Sequence, residues 1–504
     1  MRSRKLKQIS KISLAMLLLL LVLAACSGGK EAGTVESSNG EVVIKYWSAS
    51  DTFNGESSPG MQAVKEFNEK YKGEIRVDAK YSPWEEHNPS MQAALASEGV
   101  PDLFQMPLGA KVGTLVEDEL IQPISELVSD EWSSKFYEGT FVEGVNQFDG
   151  KIYAWPESGD SMSYMLYYNK DVLEKAGLDS NKPPKTWDEL KEMAKKVTEQ
   201  GKGDTFGLTF AGGGPAVFVE NAISGFALGI NPEHTNDGFN LKTGQYEVNG
   251  ENWVNSVSYL LDLKKNGYIL PSSMMLKVPE AQMLFGEGKA AFLLDGRWGM
   301  WQIKKNTPEA NFGVTHSPTP DGSIPSYGYN IALHERENVI SKDTKHPEAV
   351  AKFIEEGLTS KLFYEKYLQS GVSLTPLPEV NEDTSSYPYP VFHDFVQVHE
   401  ETLKSIPDPF ARNTEQDAVS DAIGGIGQSK MKPSFSEVMV MLMNETGDVE
   451  ELLNETNEKL NQNLEEAVKK VKEEGANVSL EDYKFPNWDP QAEYLQEDYE
   501  ELNK

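Results

Sequence analysis

Val42-Val43-Ile44-Lys45-Tyr46-Trp47 is a β-rich run with little polar alternation, and turn residues follow it from Ser48 to Gly60. Met61, Val64, Phe67 and Tyr71 then recur at helical spacing, and Ile75 and Val77 mark a second strand. Ser90 to Glu98 reads as a helix stopped by Gly99, and Pro101-Asp102-Leu103-Phe104-Gln105 reads as a third strand. A strand without alternation is expected where both of its faces are covered. The order strand, helix, strand, helix, strand predicts an α/β fold with parallel strands and covering helices.

The chain around this segment has 504 residues, too many for one core, so two lobes are expected. Its hydrophobic share of 39% suffices for a packed globule and excludes wholesale disorder. Asp and Glu number 79 against 47 Lys and Arg, a net charge of −32. Nucleic acid needs a basic stripe, so that partner is excluded. A single cysteine makes neither an internal disulfide nor a thiolate metal cage.

Residues 1–25 read as an export signal. Arg2, Arg4, Lys5, Lys7 and Lys11 precede an apolar run from Ile12 to Ala25, too short to be a comfortable permanent membrane span. Leu23-Ala24-Ala25-Cys26 resembles a bacterial lipobox, which implies acylation of Cys26. Residues 26–40, rich in Ser, Gly, Glu and Lys, read as a flexible tether. The expectation is a globular body on a lipid anchor at the outer face of the cell membrane.

Downstream, Thr186-Trp187-Asp188-Glu189 is a capping box, with Leu190, Met193, Ala194 and Val197 as the apolar face behind it. Met165 to Asn169 reads as a strand, and Glu251 to Lys265 and Pro347 to Thr359 as helices. Val449, Leu452, Leu453, Leu460, Leu464, Val468 and Val471 stripe a long charged helix without sustained heptads, so it is expected to pack along one lobe. Phe485-Pro486-Asn487-Trp488 reads as an extended cap.

Several of these stretches resemble, in order and spacing, the extracellular solute-binding proteins of bacterial ABC importers, in the maltose and oligosaccharide class. They are Gly150-Lys-Ile-Tyr-Ala-Trp-Pro156, Tyr167-Tyr-Asn-Lys-Asp-Val-Leu-Glu-Lys-Ala-Gly177 and Pro184-Lys-Thr-Trp-Asp-Glu-Leu190. Phe285-Gly-Glu-Gly-Lys-Ala-Ala-Phe292, Asp295-Gly-Arg-Trp298, Phe312-Gly-Val314 and Lys345-His-Pro-Glu-Ala-Val-Ala351 continue the series. The resemblance implies a two-lobed periplasmic-binding-protein-like fold with a ligand cleft between lobes joined by a multi-crossing hinge. Mapped here, lobe 1 is 41–156 with 316–370, and lobe 2 is 157–315 with 371–504, including a C-terminal helical extension. The crossings fall near Trp155–Asp160, Thr315–Pro320 and Gln369–Pro376. The implied partners are a carbohydrate and the transmembrane subunits of an importer; the chain is expected to act as a monomer, without a cofactor or catalysis.

Sugars want flat rings against their C–H faces and carboxylates, amides or guanidinium groups against their hydroxyls. In open α/β lobes the ligand sits at the carboxyl ends of the strands. Trp47 and Ser50 end the first strand and Gln105 ends the third, although Trp47 equally suits a core. Trp84 follows Pro83 in what reads as a turn. Trp155, Glu157 and Asp160 lie on the first crossing, the acids as hydroxyl acceptors. The resemblance assigns Trp298 to ring stacking, with Arg297 where relatives often carry a small residue or Pro. Phe210 precedes Ala211-Gly212-Gly213-Gly214, where ligand contact and a simple turn fit equally. Tyr327 and Tyr329 follow the second crossing and either close the cleft or pack beneath a strand.

An exported hydrolase is the chief rival, since paired carboxylates hydrolyse glycosides, but 79 acids guarantee chance pairs. A sensory lipoprotein would use the same closure. No Gly-x-Ser-x-Gly, His-Glu-x-x-His or Walker motif occurs, and Gly425-Ile426-Gly427 lacks the third glycine of a nucleotide fingerprint. His393 and His399 are six apart and share no helix face for a metal. Asn236-Asp237-Gly238 is a turn signal rather than a calcium loop.

Overall fold

The computed structural model describes residues 40–97, 99–107, 110–159, 164–329, 337–423 and 431–502. The export signal, Cys26 and most of the tether, as well as Asp160 and Gly425–Gly427, lie outside the described residues.

The strands that position the site are β1 (Val42–Ser48), β2 (Ile75–Tyr81), β3 (Leu103–Gln105), β4 (Ile121–Gln122), β5 (Ala154–Pro156), β6 (Met165–Asn169), β7 (Phe206–Phe210), β8 (Ala290–Asp295), β9 (Phe312–Thr315), β10 (Tyr327–Tyr329), β11 (Glu337–Ser341) and β12 (Leu403–Ser405). The first sheet has the order β2-β1-β3-β11-β4, with β5 also paired to β11. β1 runs parallel to both β2 and β3, as the strand–helix–strand reading requires, while β11 returns antiparallel. The second sheet has the order β9-β6-β8-β7. No described helix is long and apolar enough to cross a membrane.

Three expectations are corrected. β1 is not covered on both faces: Ile44 and Tyr46 are buried, Lys45 is exposed, and Trp47 is only partly covered. The second helix starts at Trp84, not Ser90, and runs to Leu95 with Pro89 inside it, a residue that reads in sequence as a helix stop. The return to the first sheet falls after β10 rather than at residue 316. Residues 316–329 stay beside the second sheet: the Trp187 indole donates to Pro318 O at 2.9 Å and the Tyr327 hydroxyl to Gly225 O at 3.3 Å.

Other local readings hold. Thr186 and Glu189 close their capping box reciprocally, both bonds at 3.1 Å. The helix Glu251–Lys265 has the expected bounds, and the helix Pro347–Phe353 continues as a wider turn to Leu358. The 25-residue helix Val449–Glu473 buries Leu453, Leu460, Leu464, Val468 and Val471 in the core around the second sheet. Its polar flank adds amides: Asn457 accepts from Val248 N at 3.0 Å, and Asn461 accepts from Tyr246 N and donates to Tyr246 O, both at 2.9 Å. Phe485 and Trp488 are buried beyond it in the same core.

Candidate functional site

The carboxyl ends of β1 and β3 meet the segment leaving β5, and a polar network forms there. Ser50 Oγ donates to Glu157 Oε1 at 2.6 Å and Thr52 Oγ1 to the same oxygen at 2.5 Å. Gln105 Nε2 reaches Glu157 Oε2 at 3.4 Å, while its carbonyl oxygen accepts from Ala49 N at 2.9 Å. Three residues singled out from sequence, Ser50, Gln105 and Glu157, thus share one site. Thr52 was missed; its only sequence signal is its place two residues past Ser50. Glu157 is only 4% exposed, so its oxygens are engaged by protein donors. A buried carboxylate needs such donors to remain tolerable in a low-dielectric setting.

The network has a second layer. His87 Nε2 lies 2.8 Å from Gln105 O, and burial holds the imidazole pKa below its usual range. Trp84 sits half-buried with its ring edge-on to His87, centroids 5.6 Å apart. The indole therefore backs the Gln105 corner. Trp47 points away from Tyr46, with Lys80 Nζ 4.3 Å from its ring centroid. That cation caps one side of the ring.

The second sheet contributes an aromatic face. Asp295 ends β8, Gly296 and Arg297 form the turn after it, and Trp298 begins the helix Trp298–Asn306. The Trp298 ring is half-buried, edge-on to Tyr164 at 5.9 Å and tilted against Phe218 at 6.4 Å. Behind it Asp295 is buried, accepting from Gln282 Nε2 at 2.6 Å and from Gly296 N at 2.8 Å. Burial pushes its pKa up to about 7; bonds from Gln282, Gly296 and Trp298 work against that rise. Tyr164, Phe218, Asp295 and Gln282 were not found from sequence. Tyr164 and Phe218 carry no motif, and a tertiary approach brings them to Trp298.

A third strand of chain ties the two faces together. Arg297 Nε donates to Ser373 Oγ at 2.8 Å, and Gly159 N donates to Leu374 O at 3.1 Å. Residues 373–375 therefore link the Trp298 turn to the Glu157 segment. A Cβ on Gly159 would sit 1.8 Å from Thr375 O, so only glycine lets these two crossings touch.

Three aromatic assignments, Trp155, Phe210 and Tyr327, are corrected. Trp155 is 1% exposed, edge-on to Trp132 at 6.1 Å in the first core, so it offers no face to a ligand. Phe210 is 2% exposed and Tyr327 3%, both packed as core. The glycines after Phe210 permit a close protein contact: Gly212 N donates to Ser273 O and Gly213 N to Leu276 O. Tyr329 lies on β10, whose backbone pairs with β12 at Ser405. Asp160 lies outside the described residues. Among the described residues no three His, Cys, Asp or Glu are grouped to hold a metal ion.

The bacterial extracellular solute-binding protein family model matches residues 54–361. The arabinooligosaccharide-binding protein of Bacillus subtilis (strain 168) is 26% identical over 67% of this chain and 73% of its own length. The sn-glycerol-3-phosphate-binding periplasmic protein UgpB of Brucella abortus (strain 2308) is 30% identical, over 46% of this chain and 52% of its own. Among solved structures, the sugar-binding protein MalE from Xanthomonas citri superposes with a TM-score of 0.61 at 19% identity, covering 86% of this chain and 100% of that one. A chitin oligosaccharide binding protein does so with 0.61 at 19% identity, over 84% of this chain and 99% of that one. These likenesses, at low identity, establish the two-lobed α/β fold. The family match covers more than half of the sequence: this chain belongs to the bacterial extracellular solute-binding proteins.

Proposed function

We propose that the chain captures a carbohydrate, an oligosaccharide in the first instance, by closure of its two lobes, and delivers it unaltered to the membrane subunits of an ABC importer. The observation that carries the reading is a partly exposed Trp298 ring on one sheet, joined through residues 373–374 to the segment that carries the Ser50–Glu157 network on the other. A ring suits the C–H face of a sugar, and the enclosed Ser50–Glu157 network holds the opposite wall in place. Ligand that touches both lobes favours the closed form by its differential contacts.

In this reading lobe 1 comprises 41–156 with the return from β11 to about residue 370. Lobe 2 comprises the second sheet, residues 316–329 and the C-terminal extension. Cys26 carries the lipid that holds the chain at the outer face of the membrane, and the working unit is a monomer. Mass spectrometry of the processed chain, with Cys26→Ser as control, tests the anchor.

The function is tested by thermal shift against arabinotriose, maltotriose, chitotriose and sn-glycerol 3-phosphate. A ligand bound only by the native state raises its melting temperature. One of the sugars is expected to do so and to be recovered intact after incubation. A shift with glycerol phosphate alone, or recovery of cleaved sugar, overturns the reading.

A further inference from the structure

The chain passes between the two sheets at its crossings, yet the sheets are also joined where no crossing runs. Residues 405–423 belong with the second sheet. Val419 and Ile423 are buried in its core, and Arg412 is held by the carbonyls of Glu481 and Lys484. The segment 139–152 belongs with the first: Gln147–Phe148 pairs with Lys151–Ile152, and Ile152 N bonds Ser125 Oγ at 3.0 Å.

These two segments touch. Phe410 and Val145 form a small apolar cluster of their own, separate from both large cores. Lys111, on the loop following β3, places Nζ 4.4 Å from the centre of the Phe410 ring. Gly144, at φ +84°, lets the extension rest on its backbone: a Cβ there would lie 2.8 Å from Thr414 Cγ2 and 3.0 Å from Phe410 O.

We infer that the C-terminal extension is a latch, in which Phe410 docks on Val145 and Lys111 of the opposite lobe and holds the lobes together independently of the hinge crossings. The contact is small and has a single cation over a single ring. It is therefore suited to being made and broken, unlike the large buried clusters, one of which runs through residues of both sheets such as Tyr46 and Tyr167. Opening the lobes about the crossings would separate Phe410 from Lys111 and uncover an apolar ring, which opposes opening. The extension then slows ligand release without itself contacting the ligand; this last consequence rests on the proposed capture by closure, whereas the latch does not.

The test uses Phe410→Ala and Lys111→Ala in the full chain, the second leaving the Phe410 side chain in place. Solution scattering without ligand is expected to give each variant a larger radius of gyration than the parent. Dissociation of whichever trisaccharide gives a thermal shift is expected to accelerate about threefold to tenfold. The double variant should add nothing to the larger single effect, because one contact is broken by either change. Unchanged scattering in Lys111→Ala, or a Phe410→Ala effect confined to melting temperature, overturns the latch. If no sugar binds, the carbohydrate reading fails while the scattering comparison still decides this one.

Discussion

The two faces of the site are built on opposite plans. On the first sheet Glu157 is enclosed, its oxygens engaged by Ser50, Thr52 and Gln105. On the second sheet the Trp298 ring is left half-open, braced from behind by Tyr164 and Phe218. The difference teaches which group is free to act. A buried carboxylate without its donors is destabilising, so its partners are part of the fold. A ring loses little by facing water on one side and gains by being covered later.

The sharpest way to break the comparison is at the join. Gly159→Ala drives a methyl group into Thr375 O and should part the crossings, with loss of several kcal/mol or failure to fold, read by denaturant melting. Glu157→Ala leaves two hydroxyls and an amide without their acceptor. It should cost about 3 kcal/mol in the same assay, with Glu157→Gln intermediate. Trp298→Ala should instead weaken sugar binding by about 30-fold to 100-fold in calorimetry, as truncation of a central aromatic contact does. Its stability cost should stay below that of Glu157→Ala, since the ring is only partly buried. If the two variants exchange roles, the assignment of the faces is wrong.

pH sharpens the same contrast. Burial pushes Glu220 up to about 8 and Asp295 up to about 7. The folded chain thus holds protons that the unfolded chain has lost above about pH 4. Their contribution is complete below that pH and is lost as pH rises through these values. Buried His87, His234 and His316 are lowered and act oppositely, costing stability only as pH falls below about 6.5. From about pH 7 to pH 8 the histidines are neutral, and stability should fall by about 1 kcal/mol through Glu220. Glu220→Gln should flatten that limb. The smallest effect serves as a control remote from both faces: Thr186→Ala opens the capping box and should cost about 1 kcal/mol with sugar affinity unchanged.

Much of this was legible locally. The parallel β1–β3 core, the Thr186 cap, the Val449 helix and the placing of Ser50 and Gln105 follow from periodicity, capping chemistry and strand ends, whereas Glu157 follows from the first crossing that the family resemblance implies. The aromatics were less legible. Trp155, Phe210 and Tyr327 have the same composition signal as Trp298, and nothing in their neighbours says which ring is covered. Trp84 was misread as a turn residue because Pro89 breaks the helical pattern five residues later.

Sequence alone determined the parallel β1–β3 unit and the capped helices, because hydrophobic period and caps act within a few residues and need no distant partner. Tertiary structure alone decided that Thr52 would join Glu157, that Phe218 and Tyr164 would brace Trp298, and that Phe410 would reach Lys111. Those contacts join residues dozens to hundreds apart, and their geometry is set by how whole sheets pack rather than by any spacing along the chain.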